Sequence, residues 1–147
     1  MLRLADRSDF RDCLRMAKAF HEQSPYKEQE FSEEKCSEIF ERYLKDGGAN
    51  IVFILACDTK PFGMIIGVKG DLPFSDTIVC TELAWWVDTD KRGSRDSLLL
   101  FSAYEEWCKR VGGDLSAVAM LEGVTDLSGF YEKRNYRPAE KTYFKEV

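Results

Sequence analysis

The spacing of apolar positions along this chain changes several times, and each change marks an element. Residues 2 to 5 suit a short first strand. Phe10, Cys13, Leu14, Ala17 and Phe20 then recur at helical spacing. Ser8 or Asp9 can cap that helix, because either side chain can accept from free first-turn amides. The run ends near Gln23-Ser24-Pro25. Ser32, followed by Glu33 and Glu34, is a second cap with first-turn acids placed favourably for the helix dipole. Cys36, Ile39, Phe40, Tyr43 and Leu44 form the apolar stripe of this second helix, and Gly47-Gly48 stops it.

From Ile51 the pattern is that of strands. Ile51 to Cys57 is densely apolar, Asp58 to Pro61 reads as a turn, and Phe62 to Val68 as the next strand. Gly70 to Asp76 is a loop. Thr77 to Val87 is a long third strand, with Glu82, Ala84 and Trp86 on one side and Leu83, Trp85 and Val87 on the other. A bulge would break that parity. A charged loop, Asp88 to Ser94, leads into a helix from Ser97 to Val111, ended by Gly112-Gly113. Leu115 to Leu121 is a strongly apolar strand. Thr125 or Asp126 starts a short helix through Phe130 and Tyr131, and Tyr136 with Thr142 to Phe144 supplies a closing strand. The order β-α-α-β-β-β-α-β-α-β predicts an α/β or α+β three-layer domain.

Composition narrows this picture. The 147 residues suit one domain, 1–147, with a sizeable core. Lys and Arg number 21 against 26 Asp and Glu, a formal charge of -5, which argues against a nucleic-acid binder with a continuous basic footprint. The five cysteines, at 13, 36, 57, 80 and 108, are odd in number and widely spaced, with no CxxC and a single histidine, His21. A structural metal cluster or a secreted disulfide scaffold is therefore not expected, and reduced thiols in a cytoplasmic protein are. No apolar run approaches the ~20 residues that span a bilayer. The segment Met1 to Arg7 carries charges where a signal peptide needs its apolar part, so no membrane partner is expected.

The local exception to the acidity is the loop Val87-Asp88-Thr89-Asp90-Lys91-Arg92-Gly93-Ser94-Arg95-Asp96-Ser97. It runs from a strand through a basic turn into a helix start, where free amides and the helix dipole favour an anion such as a pyrophosphate. There is no GxxxxGK and no GxGxxG. The stretch resembles the acetyl-CoA-binding motif of the GCN5-related N-acetyltransferase (GNAT) family, Q/R-x-x-G-x-G/A after a strand. Arg92 takes its first position, Arg95 the position of the middle glycine and Ser97 the last small position. Gly129-Phe130-Tyr131-Glu132-Lys133-Arg134-Asn135-Tyr136-Arg137-Pro138 resembles the family's FYEKxGFxP segment, with Asn135 in the place of a glycine. Asparagine tolerates the left-handed conformation comparatively well.

The resemblance covers essentially the whole chain. It implies a mixed, mostly antiparallel sheet flanked by helices, and direct transfer of an acetyl group from acetyl-CoA to a primary amine. It implies that Tyr131 is the proton donor to the departing thiolate, and that the strand backbone at Trp86 and Val87 holds the acetyl carbonyl. It also implies that Arg92, Gly93, Ser94, Arg95, Asp96 and Ser97 meet the cofactor's phosphates. Glu82, on an apolar strand, is the candidate base, because burial raises a carboxylate's pKa; Glu122 is a second. His21 could face the acceptor pocket. The acids Glu28, Glu30, Glu33 and Glu34 would suit a cationic acceptor, small molecule or peptide. Dimerisation, common in such domains, is possible here too. The alternative function is a non-catalytic acyl-CoA-binding or protein-interaction module. A splay between the strand ending near Val87 and the strand 115–121 would favour a cofactor site, and continuous pairing there a plain interaction module.

Overall fold

The computed structural model describes residues 1–46 and 48–147. Its elements in chain order are β1 (Leu2–Leu4), α1 (Phe10–Gln23), α2 (Glu33–Tyr43), β2 (Asn50–Cys57), β3 (Lys60–Asp71), β4 (Ile78–Val87), α3 (Arg95–Arg110), β5 (Leu115–Ala117) and α4 (Ser128–Lys133). One sheet runs β1-β2-β3-β4-β5, antiparallel from β1 to β4, with β5 parallel to β4. The mixed, mostly antiparallel sheet flanked by helices is therefore the architecture of this chain.

The two sheet faces build two cores, and β2 shows why its sequence is apolar throughout. Ile51, Phe53 and Leu55 face α3, while Val52 and Ile54 face α1 and α2. A strand covered on both faces has no polar side to alternate with. Cys13, Met16 and Phe40 close one core; Leu100, Phe101, Tyr104 and Trp107 close the other. Gly67 is required here, because a Cβ on it would lie 2.7 Å from the Trp107 ring.

Several boundaries differ from the sequence reading. The first helix is entered through a 3-10 turn capped by Asp6, not by Ser8 or Asp9: the Asp6 carboxylate accepts from the Ser8 amide, and Asp9 accepts from the Asp6 amide. Buried Asp9 is also held by the Arg3 guanidinium at 2.7 and 2.8 Å. Ser32 caps α2 as expected, accepting from the Lys35 amide. Gly47 lies outside the described residues, while Gly48 takes a φ of +95°. β3 starts at Lys60 and extends to Asp71, leaving Asp58 and Thr59 as the turn, and α3 starts at Arg95. Asp126 accepts from the Ser128 amide at the start of α4, and Asn135 adopts the left-handed φ of +66°.

Two corrections matter for the site. Ile66 pairs with Ala84 but Gly67 with Glu82, so Leu83 is the extra residue of a β-bulge. Cys80, Trp85 and Val87 consequently share the α3 face, and Ala84 and Trp86 the other. Glu82 keeps the parity of Cys80, not that of Ala84 and Trp86. The second correction is β5, which stops at Ala117 instead of Leu121. The closing strand is absent too: residues 134–147 form none. Tyr136 is placed by its side chain instead, its ring near Phe101 and its hydroxyl 2.8 Å from Ser116 Oγ.

Candidate active site

Parallel pairing between β4 and β5 covers Val79, Cys80 and Thr81 against Leu115, Ser116 and Ala117, and then ends. Beyond it the chains separate around a cleft of about 220 Å³. β4 from Glu82 to Val87 forms one wall, Ala119 to Leu121 another, α1 contributes Phe20 and Gln23, and α4 contributes Tyr131. The strands thus splay.

Glu82 and Tyr131 meet at the backbone of one residue, Ala119. The Ala119 amide donates to Glu82 Oε2 at 3.4 Å, and the Tyr131 hydroxyl donates to the Ala119 carbonyl at 2.8 Å. Burial pushes the Glu82 carboxyl up to about 7, with the Ala119 amide pulling slightly the other way. Burial also raises the Tyr131 phenol, reinforced by the nearby Glu82 charge. At neutral pH this arrangement holds one carboxyl poised between its two states beside one phenol that keeps its proton. A buried carboxylate of that kind accepts a proton and a protonated phenol gives one.

At the other end of the cleft the Arg92 side chain folds back onto β4. The Asp88 amide donates to the Phe62 carbonyl on the β3 side at 2.7 Å, so the Val87 peptide faces the open edge. Arg92 Nε donates to the Val87 carbonyl at 2.8 Å, its guanidinium lies 4.6 Å over the Trp86 ring, and it reaches Gln23 Oε1 at 3.1 Å. Trp86 Nε1 and Arg15 both donate to Asp88, tying α1 to this corner. Gly93 turns the loop with a φ of +79°, which glycine adopts without strain. The Ser94 hydroxyl donates to the Lys91 carbonyl instead of capping α3, leaving the first amides of that helix without a side-chain acceptor.

Of the residues singled out from sequence, Glu82, Tyr131, Trp86, Val87, Arg92, Gly93 and Ser97 line the cleft together. Ser94, Arg95 and Asp96 sit beside it on the exposed helix entry, outside its wall. Glu122 is exposed and also outside the wall. His21 is placed elsewhere, donating to the Gln29 carbonyl and lying against Phe31 within the α1–α2 connection. Sequence reasoning missed Ala119, which acts through its backbone and so leaves no side-chain signal. It also missed Gln23 and Phe20 as cleft residues; their closeness to β4 comes only from how α1 packs. All five cysteines are free thiols.

The sequence matches no family model and no curated protein. Its fold, by contrast, recurs among solved structures. A transcriptional regulator from Bacillus halodurans is 16% identical with a TM-score of 0.79, covering 100% of this chain and 99% of that one. A possible acetyltransferase from Clostridium difficile is 14% identical with a TM-score of 0.76, covering 100% and 97%. An aminoglycoside 6'-N-acetyltransferase from Acinetobacter haemolyticus is 14% identical with a TM-score of 0.75, covering 100% and 98%. The likeness is one of fold: the same mixed, mostly antiparallel sheet flanked by helices recurs in structures described as acetyltransferases and as a transcriptional regulator.

Proposed function

We propose that this chain transfers an acetyl group from acetyl-CoA to a primary amine. The observation that carries the reading is the open edge of β4, where Glu82 and Tyr131 meet at the Ala119 backbone in the wall of a cleft. The residues present fit an extended, amide-bearing cofactor ending in phosphates. The unpaired strand edge offers backbone groups to such an arm. The uncapped amides at the start of the 16-residue helix α3 suit an anion. Arg95, in the family's glycine position, sits within the regular first turn of α3 and is exposed. Acetyl-CoA would supply an acetyl group activated as a thioester, whose departing thiolate needs a proton.

The protein's own residues then divide the work. Glu82, in its ionised state, takes a proton from the acceptor ammonium and leaves a nucleophilic amine. Tyr131 holds the proton to be given to the leaving sulfur, and the Ala119 carbonyl fixes the direction of its hydroxyl until then. The Val87 N–H, on the open edge, donates to the carbonyl being attacked. Calorimetry with acetyl-CoA and thiol release with primary amines test this reading. Micromolar binding with amine-dependent release is expected, and no binding at high micromolar cofactor overturns it. One observation favours the second reading, a non-catalytic acyl-CoA-binding module: the Val87 carbonyl is already taken by Arg92. Cofactor binding without thiol release under any amine would establish that alternative.

A further inference from the structure

The wall of the cleft carries one carboxylate, Glu82, and one cation, Arg92; its other side chains are uncharged at neutral pH. An acceptor with several ammonium groups would have to strip water from each of them, and only one would find a carboxylate. The remaining charges would also face the Arg92 guanidinium, fixed over Trp86 on the α1 side. Glu28, Glu30, Glu33 and Glu34, which would have met such charges, are exposed along the α1–α2 connection and the start of α2, outside the cleft wall. The rest of the wall that Glu82 shares is mostly apolar instead. Leu83, Met120 and Val124 line it while staying 48%, 45% and 42% exposed, an apolar rim beside a buried carboxylate. The bulge puts Leu83 there, next in sequence to Glu82.

We propose that the acceptor is a small monoamine on an apolar body, with its one ammonium group at Glu82 and its aryl or alkyl part against Leu83, Met120 and Val124. This inference rests on the proposed acetyltransferase reading. It is tested by thiol release from acetyl-CoA with 2-phenylethylamine and with spermidine. The expected kcat/KM is about tenfold or more higher for 2-phenylethylamine, the order that burying an apolar group in a pocket provides. Leu83→Asp is expected to reverse that ratio, and Val124→Asp, in an exposed loop, to lower it by about threefold or more. A readout independent of turnover is the Met120 methyl signal, which 2-phenylethylamine shifts and spermidine does not. Equal or better use of spermidine, or variants that leave the ratio unchanged, overturns the acceptor class while leaving the acetyltransferase reading standing. Absence of acetyl-CoA binding by calorimetry overturns both.

Discussion

The two ends of β4 are built alike on one edge and oppositely on the other. Its inner edge is paired with β3 from Ile78 to Val87. Its outer edge is paired with β5 only as far as Thr81. At the paired end, polar groups are satisfied by backbone and by Tyr104, whose hydroxyl lies 2.9 Å from the Cys80 carbonyl and 3.1 Å from that of Ala117, where the strands are about to part. At the open end, backbone groups that a strand partner would have taken are met by side chains: the Ala119 amide by the Glu82 carboxylate in one long hydrogen bond, the Val87 carbonyl by Arg92. One end is arranged for stability. The other leaves backbone and a carboxylate available, and that availability costs stability.

The sharpest way to break the contrast is Glu82→Gln, which keeps the shape of the open end and removes its titrating group. Turnover is expected to fall about 10²- to 10³-fold with acetyl-CoA affinity unchanged, as for loss of a general base. In the parent protein, turnover should rise with pH through about 7 as Glu82 ionises. The stability effect has the opposite sign. Between 4.5, the ordinary value of this carboxyl, and about 7, the folded chain holds a proton that the unfolded chain has lost. Stability therefore falls as pH rises through that window and is fully present only below it. At pH 8 Glu82→Gln should thus be more stable than the parent by about 3 kcal/mol, and at pH 4 no different. Denaturant melts at the two pH values check this. Equal stability at both would mean that Glu82 is not desolvated.

Tyr131→Phe is the next largest. On the proposed role of Tyr131 as proton donor, kcat should fall by roughly 10- to 100-fold. Calorimetric affinity for acetyl-CoA should hold, because the ring remains packed against Phe101 and Tyr136. Retention of full turnover in both variants would assign the proton transfers to other groups.

The paired end was largely legible in sequence and the open end only in part. β2 was readable from its unbroken apolar run and the start of β4 from an alternation that nothing contradicts, and Ser32 was readable as a cap because its hydroxyl has one obvious local use. The bulge was not readable: Glu82-Leu83-Ala84 continues the alternation perfectly, and only the pairing with Ile66 and Gly67 reveals the extra residue. Val118 to Leu121 misled for a related reason. They are apolar because three of them face or adjoin a cleft, and composition does not distinguish a strand in a sheet from a segment lining a hole. The Asp6 cap was hidden because three neighbouring residues could serve, and the choice fell to the Arg3–Asp9 pair. Tyr131 was readable only through its FYEK context, and Ala119 not at all.

Tyr104→Phe probes the paired end by itself. It takes a hydroxyl away from two strand carbonyls in a fully buried position, which should cost about 1–2 kcal/mol. That corresponds to a midpoint lower by roughly 3–6 °C for a chain of this size. Acetyl-CoA affinity should change little if the two ends are independent. A loss of affinity larger than the loss of stability would show that the clamp sets the width of the splay.

The smallest expected effect concerns Arg92, and its sign carries the information. The guanidinium points at Trp86 and Gln23, on the α1 side, and its Nε occupies the carbonyl that an extended ligand on the open edge would pair with. A ligand using that carbonyl must first displace the stacked side chain, a contact worth about 0.5–1 kcal/mol at an exposed site. Arg92→Ala should therefore tighten acetyl-CoA roughly two- to fivefold, the same free energy expressed as affinity. The loop backbone, turned by Gly93, stays as it is. If the variant binds more weakly instead, the side chain swings from β4 to the phosphates once the cofactor arrives, and the open end is completed by the residue that now covers it. Calorimetry at two salt concentrations, on the parent and on Arg92→Ala, separates these cases: an Arg92–phosphate contact weakens as ionic strength rises, so its removal flattens the salt dependence relative to the parent.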